Sequence, residues 1–321
     1  MAFMHFAAFD AALVLLGLGF TFHVAHTTLL AHGRGALAAV RARGPRLAAA
    51  GAGTGVAIEV GGRPRHTTAQ FGATAETLPG GTRSGGLALG LTWGAAIALA
   101  MSLLFRALVV GRGPWGNMFE FSIAFAFGIV AGYLVLERRY PIRSLGFLPL
   151  SAALFLAAYA KTLPGDIAPL VPALENRPLL TLHVAMAMIS YGIFATSFGA
   201  AVGYLAQGGG PTERFAWLPS RKVLDEVAYR AVIIGFPIFA TLIILGSWWA
   251  SIAWGRYWGW DPKETSALVT WLIYAVYLHA RNQRGWAGRP AALILVVGFG
   301  AVLFTYFGNL FFSGLHAYSG L

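Results

Sequence analysis

Long apolar stretches recur along this chain and are separated by polar or glycine-rich connections. About 20 consecutive apolar residues allow a helix to cross the roughly 30 Å hydrocarbon core of a bilayer. The stretches are rich in Leu, Ala, Gly and Phe and lack period-two alternation, which indicates helices rather than the strands of a barrel. The pattern predicts an all-α, polytopic membrane helical bundle with about eight transmembrane helices, near residues 7–31, 86–109, 117–136, 144–160, 179–206, 231–250, 266–282 and 290–313.

The same pattern divides the chain into three segments. These are a first transmembrane helix (1–31), a basic cytoplasmic linker (32–85) and a seven-helix domain (86–321). Within the linker, residues 48–55 have a composition typical of flexible tethers. Two adjacent glycines between alternating apolar positions in residues 56–71 suggest a small β-hairpin. Two roles stay open for the linker: a basic tether near anionic lipid, or an element that docks a partner.

Composition supports a membrane location. Hydrophobic residues make up 57% of the chain and charged residues 11%, whereas soluble proteins have roughly 25% charged residues. The net charge of +11 does not indicate nucleic acid, because Lys and Arg concentrate in the connections on one side of the membrane, including 137–143 and 281–289. By the positive-inside rule that side is cytoplasmic. The sequence therefore predicts a bacterial cytoplasmic-membrane protein with both termini and the segment Trp254–Asp261 outside the cytoplasm.

Cysteine is absent from the sequence, which excludes disulfides, thiolate metal sites and a cysteine nucleophile in this chain. Any thiol chemistry must therefore come from a partner. The first apolar stretch has no basic leader and no small-residue cleavage site, so it is expected to be a retained span rather than a signal peptide.

Two opposite charges are predicted near the outer membrane boundary. Arg106 and Glu120 lie late in the second span and early in the third. Charges inside a membrane are costly and are usually paired, so a structural ion pair is one interpretation and a role in holding a ligand is the other. The connection 161–178 contains four prolines and is too apolar for a free linker. It is expected to cover part of the outer surface.

The segment WGRYWGWD, Trp254–Asp261, is unusually dense in aromatic side chains. With the preceding residues it supplies a candidate platform for a large flat ligand, consisting of Trp248, Trp249, Trp254, Trp258 and Trp260. Gly255 and Gly259 allow close approach of the backbone, and Arg256 or Lys263 could bind carboxylates. An ordinary interfacial aromatic belt is the alternative, but belts are scattered and this cluster is dense.

Counting spans places two histidines on the same membrane face as this segment. His183 begins the fifth span and His316 follows the eighth, whereas His279, His23 and His26 fall toward the opposite face. A single histidine at a helix end is more often structural than a metal ligand. Two that converge on an aromatic platform favour haem, because imidazole ligates iron and a porphyrin needs apolar stacking surface. The absence of a short cluster with a third ligand argues against zinc.

Several motifs resemble a known family. WGRYWGWD followed by PKET resembles the WWD signature of haem-handling proteins of cytochrome c biogenesis. The flanking RPLLTLHVAMAMISYGIF, WLIYAVYLHAR and GLHAYSG resemble the CcsA (ResC) family of System II cytochrome c synthetases. The resemblance runs from about residue 86 to the C-terminus.

This resemblance implies an enzyme of the holocytochrome c synthase (haem lyase) type. Such a protein carries haem b to the outer side and attaches its vinyl groups to Cys-x-x-Cys-His of apocytochrome c. It implies that His183 and His316 are axial ligands of the haem iron beside the WWD segment, and that His279 belongs to an inner haem site. The family's CcsB (ResB) membrane subunit supplies the second inner ligand; within this chain, His23 or His26 is the candidate.

Asp261 has two interpretations. It is the nearest candidate for acid–base catalysis, and it is also well placed to cap the helix that begins with Pro262. Other functions also stay open: a haem exporter or chaperone without ligation activity, or a haem- or quinone-binding electron-transfer subunit. The clustering of ligands outside the bundle argues against the electron-transfer subunit.

Overall fold

A computed structural model places most of the chain in helices. It describes residues 2–50, 79–167, 174–175, 177–210, 212–215, 217–283, 286–308 and 311–316. The α-helices within these ranges are α1 (Ala2–Ala50), α2 (Pro79–Val110), α3 (Met118–Glu137), α4 (Phe147–Lys161), α5 (Arg177–Ala206), α6 (Arg221–Trp254), α7 (Pro262–Arg281) and α8 (Arg289–Phe307). A short 3₁₀ helix, Arg143–Leu145, precedes α4.

The predicted all-helical membrane architecture is confirmed. Among the described helices, 7 are long and apolar enough to cross a bilayer. The other is α7, which carries Glu264 in its first turn and His279 and Arg281 in its last. It is the most polar of the eight predicted spans, and it is the helix that begins directly after the tryptophan-rich segment.

The first helix is longer than predicted. It continues to Ala50, whereas the predicted span ended at residue 31, so the first part of the predicted linker is helical. The hairpin predicted at 56–71 lies outside the described residues.

The sixth helix is also longer, because it begins at Arg221 rather than near residue 231. Ser220 caps it by accepting a hydrogen bond from the Val223 N–H at 3.4 Å. A bidentate ion pair between Asp225 and Arg281 of α7 helps to stabilise the polar first turns of α6. Hydrophobicity alone does not detect such a start, because the helix enters the apolar region only after these turns.

The helices alternate in direction, so the odd-numbered ones begin and the even-numbered ones end at the same end of the bundle. His5 of α1 lies 2.9 Å from the carbonyl oxygen of Ser102 near the end of α2. Asp10 of α1 pairs with Lys161 at the end of α4 at 2.5 Å. We call this the tryptophan-rich end, because it also holds the segment between α6 and α7.

Glycines bring α3 and α5 into direct backbone contact in the core. A Cβ added to Gly128 would lie 2.6 Å from the carbonyl oxygen of Met188, and one added to Gly132 would lie 2.9 Å from the carbonyl carbon of Gly192. In lipid the hydrophobic effect does not drive helices together. Small residues at such crossings instead let the backbones approach closely and gain van der Waals contact. This contact sets the spacing of two helices whose ends line the cavity described below.

The α3–α5 contact generates a stability prediction. Gly192→Ala would push a methyl group against the backbone of Gly128, and overpacking of this kind costs about 1–3 kcal/mol. We expect a lower thermal midpoint for the detergent-solubilised protein. The control is Gly300→Ala in α8, where an added Cβ meets nothing within 4 Å. Equal midpoints for the two variants would contradict the close contact.

Candidate functional site

A cavity lies inside the tryptophan-rich end. Its walls come from α3, α5, α6, the start of α7, the end of α8 and the segment after it. Most of the lining is apolar or aromatic; the ionisable side chains on it are His183, Lys263, Glu264, Tyr191, Tyr306 and His316. Ligand sites are usually concave, mostly apolar pockets with a few placed polar groups, so this is the candidate site.

His183 reaches the cavity from the second turn of α5. Its Nδ1 lies 3.0 Å from the carbonyl oxygen of Leu242 in α6. Because a carbonyl can only accept, Nδ1 carries the proton, and in the neutral ring Nε2 then carries the lone pair. Gly246 gives the ring its room, since a Cβ added there would lie 2.6 Å from Cε1 of His183. Helix α6 therefore fixes both the tautomer and the position of this imidazole.

His316 lies after α8 and is fixed by Asp261. The imidazole Nδ1 lies 2.8 Å from Oδ1 of the carboxylate, and Asp261 is only 5% exposed. The same oxygen accepts the backbone N–H of Lys263 at 2.9 Å, which caps α7. The arrangement again makes Nδ1 the donor, so in both neutral imidazoles Nε2 carries the lone pair.

Electrostatics favour a carboxylate beside a neutral imidazole. Burial by itself raises the pKa of Asp261, but the hydrogen bond and charge interaction with His316, together with the Lys263 N–H, bring it to about 2. Burial lowers the pKa of His316 below its ordinary value, and the neighbouring Asp261 only partly opposes this. The neutral imidazole is the form that coordinates metals.

One indole contacts both imidazole rings. The ring centroid of Trp249 lies 6.3 Å from that of His183, with planes inclined by 20°, and 5.8 Å from that of His316. Trp254 packs edge-on against His316 at 4.9 Å. The two histidines, which are distant in sequence, are therefore grouped around Trp249 in one cavity.

Two devices shape the turn between α6 and α7. Gly255 ends α6 with a φ of 70°, a conformation that glycine adopts without strain. Asp261 and Glu264 form a capping box at the start of α7. The Glu264 carboxylate also accepts the Gly259 N–H at 2.8 Å. The turn therefore ties its own backbone to α7 and brings Asp261 to His316.

The predicted tryptophan platform is only partly assembled around the cavity. Trp249 and Trp258 line it, whereas Trp254 is absent from the lining and packs edge-on against His316. Trp248 and Trp260 are 55% and 70% exposed and are absent from the cavity lining. The helix and turn geometry places these two side chains outside the cavity lining, so a part for them in binding stays a prediction.

The two residues predicted to bind carboxylates, Arg256 and Lys263, lie in different places. Lys263 lines the cavity, with its Nζ 5.7 Å from the ring centre of Phe121. Arg256 is exposed and lies beside Gly259, outside the cavity lining. Lys263 is therefore the better placed cation.

The structure does not group the inner histidines. His279 is exposed near the end of α7, whereas His23 of α1 is fully buried. The His23 ring nitrogens lie 3.1 Å from the Arg143 carbonyl oxygen and 3.1 Å from the Thr92 hydroxyl. His26 is buried among the same helices. Both His23 nitrogens therefore join α1 to neighbouring segments, and an inner site that His279 shares with His23 or His26 stays a prediction.

Several cavity residues were not identified from the sequence. They include Asn117, Leu174, Tyr191, Leu242, Gly246, Glu264 and Tyr306. A signal existed for two of them, because Leu242, Gly246 and Trp249 are spaced by four and three residues and so share one face of α6. Leu174 shows that part of the 161–178 connection does reach the cavity wall; residues 168–173 and 176 lie outside the described residues.

These features define a class of protein: a polytopic membrane protein whose helix ends enclose two oriented imidazoles against tryptophan. Among the described residues there is no group of three or more His, Cys, Asp or Glu able to hold a bare metal ion. The donor set instead suits a metal that brings its own equatorial ligands. A porphyrin iron, with four ring nitrogens and two axial positions, fits that requirement.

Comparison with known proteins identifies the family. A family model described as cytochrome C assembly protein matches residues 115–316. The cytochrome c biogenesis protein CcsA of Synechococcus elongatus is 36% identical over 281 residues, which cover 71% of this chain and 86% of that protein. The CcsA proteins of Microcystis aeruginosa and Porphyra purpurea are 35% and 34% identical, each over 70% of this chain and 84% of the relative. The chain therefore belongs to the cytochrome c assembly protein family, and its process is cytochrome c biogenesis.

Proposed function

We propose that this protein holds haem b between His183 and His316 at the extracytoplasmic side and presents it for covalent attachment to Cys-x-x-Cys-His of apocytochrome c. One observation carries the proposal: two imidazoles at one cavity, each with its Nδ1–H donated to a fixed acceptor. Metal-binding histidines usually donate their other N–H to a carbonyl or a carboxylate, which fixes the ring and raises its basicity. Haem is the substrate here rather than a resident cofactor.

The distribution of charge supports the proposed outer location. The opposite end of the bundle holds many of the basic residues that flank the spans, among them Arg138, Arg139, Arg143, Arg221, Lys222 and Arg281. By the positive-inside rule that end is cytoplasmic. The cavity and both termini would then face away from the cytoplasm, where apocytochrome thiols are available.

The attachment step needs little acid–base chemistry from the cavity. A thiol adds across a vinyl C=C so that a C–S bond forms at one carbon and the proton ends on the other, without net oxidation. The contribution of the protein is to orient the ligand and exclude water. Asp261 is ionised and engaged with His316 and the start of α7, so we assign it a positioning role rather than the catalytic role considered from the sequence.

A membrane partner of the CcsB (ResB) type is part of the proposal. His279 is exposed on α7, while His23 is engaged within the bundle. We propose that such a partner supplies the second ligand of an inner haem.

The ligand assignment predicts a specific spectroscopic loss. His183→Ala and His316→Ala should each abolish the bis-imidazole absorption spectrum of the purified protein and stop cytochrome maturation, and added imidazole should partly restore both. His32→Ala is the control, because His32 is an exposed residue of α1 bonded to its own helix. Unchanged haem spectra in both cavity variants would reject the assignment.

A co-expression experiment distinguishes covalent attachment of haem from haem export. Co-expression with an apocytochrome and the partner subunit should give haem that resists acid–acetone extraction, because thioether bonds survive it. Haem binding without such linkage would favour a haem exporter or chaperone.

The Asp261–His316 contact generates a second prediction. Asp261→Asn keeps the size of the side chain but removes the charge that supports the imidazole. Loss of such a second-shell partner typically lowers affinity about 10- to 100-fold, so a haem titration should show weaker binding of that order. Asp10→Asn, which removes an exposed ion pair at the same end, should leave affinity unchanged. Equal affinities would show that Asp261 serves only as a helix cap.

Lys263 generates a third prediction, on recognition of the propionates. Lys263→Met keeps the apolar stem and removes the cation. The parent should bind haem more tightly than haem dimethyl ester, by about 10- to 150-fold for a charge-assisted hydrogen bond, and Lys263→Met should lose this discrimination. Arg256→Met is the matched control and should keep it. The reverse result, in which only Arg256→Met loses discrimination, would move the propionate site to the exposed turn.

A further inference from the structure

The loop joining α2 to α3 forms one wall of the cavity. Its residues Trp115 and Asn117 line the space, and the Trp115 indole N–H donates to the Thr181 hydroxyl of α5 at 3.4 Å. Asn117 caps α3 by accepting the Glu120 N–H at 2.9 Å. The loop therefore contacts both α3 and α5 beside the turn of α5 that carries His183.

A single buried carboxylate holds this loop in place. Glu120 is 1% exposed, and its Oε2 accepts Nη1 of Arg112 at 2.8 Å and the N–H of Gly116 at 2.7 Å. Its Oε1 accepts Nε of Arg106 at 2.8 Å. The Arg106–Glu120 pair expected from the sequence is confirmed, and Arg112 is a second cation that the sequence reading did not identify.

The network reaches further through Arg106. Its two terminal nitrogens donate to the carbonyl oxygens of Gly165 and Asp166, at 2.8 and 3.2 Å. Arg112 also donates to the Gly113 carbonyl oxygen at 2.9 Å. The loop is therefore bonded near both of its ends to one carboxylate, and that carboxylate is in turn fixed to α2.

Removing the charge of Glu120 would leave two buried guanidinium groups without a counter-ion. Breaking one partner of a buried ionic network is strongly unfavourable, because the remaining charge has lost its compensation. The least costly response is for Arg112 to move toward water, since it belongs to the surface loop. The loop would then withdraw from the cavity, taking Trp115 with it.

We propose that Glu120 is a positioning residue for haem retention, acting through Arg112 and Gly116 to keep Trp115 and Asn117 against the bound ligand. The inference rests on the proposed function for the identity of the ligand. It assigns Glu120 no contact with haem and no part in ligating iron.

The first test measures haem release from the full-length protein to excess apomyoglobin. Glu120→Gln should accelerate release at least about tenfold, the scale of a lost charge-assisted bond, while the bis-imidazole spectrum stays unchanged because both histidines remain. The control is Glu137→Gln, which removes a carboxylate paired with Arg143 at 2.8 Å at the opposite end and should leave the rate unaltered. Equal release rates for parent and Glu120→Gln would overturn the inference.

The second test needs no haem. Because the chain has no cysteine, Thr181→Cys supplies a single thiol behind Trp115. Maleimide labelling of the haem-free protein should be faster when Glu120→Gln is added to this background. If Glu120→Gln does not accumulate, Arg112→Met tests the same link and should also accelerate labelling. Unchanged labelling would overturn the inference, whereas a parent that binds no haem would reject the proposed function instead.

Discussion

The chemistry of the cavity depends on where two imidazole N–H groups are directed. A histidine in an apolar cavity can rotate and exchange tautomers unless one nitrogen is bound. Here the Leu242 carbonyl binds Nδ1 of His183 and the Asp261 carboxylate binds Nδ1 of His316. The acceptors belong to α6 and to the start of α7, so the packing of these helices sets the orientation of both imidazole rings. Few other features need to be specified once the acceptors are fixed.

The helix packing that supports these acceptors uses small residues at two levels. In the core, Gly128 and Gly192 let α3 and α5 approach, which sets the width of the bundle below the cavity. At the cavity itself, Gly246 leaves the space that the His183 ring occupies. A larger residue at either level would move a helix or a ring, and an error of about 1 Å in a positioned group is enough to cost a site most of its effect.

The helices and their common end were predictable because they follow from composition and counting. Apolar length locates spans, and parity then assigns His183, the segment Trp254–Asp261 and His316 to one end. The boundaries of α1 and α6 were not predictable, because their outer turns are polar and depend on helix propensity or on partners such as Arg281. The orientation of each tryptophan was not predictable either. The orientation of each tryptophan depends on the positive φ angles of Gly255 and Trp260; that of Trp260 is 56°. The hydrophobic pattern does not encode these angles. The Asp261–His316 bond joins residues 55 positions apart and exists only once α7 and α8 pack.

The two proposed ligands are anchored unequally, and this inequality bears on substrate exchange. His183 lies within a helix, and its acceptor is a backbone carbonyl inside another helix, so moving it requires the bundle to move. His316 lies beyond the end of α8; its Nδ1 donates to the Asp261 side chain, whose oxygen also caps α7, and Trp249 and Trp254 pack against its ring. On the proposed function, the histidine of an incoming Cys-x-x-Cys-His motif would take an axial position on the same iron. Displacing His316 disturbs side-chain contacts of a segment beyond α8, whereas displacing His183 disturbs the α5–α6 packing. On the proposed assignment, His183 is therefore the ligand that holds haem through the reaction, and His316 is the one that gives way to the substrate.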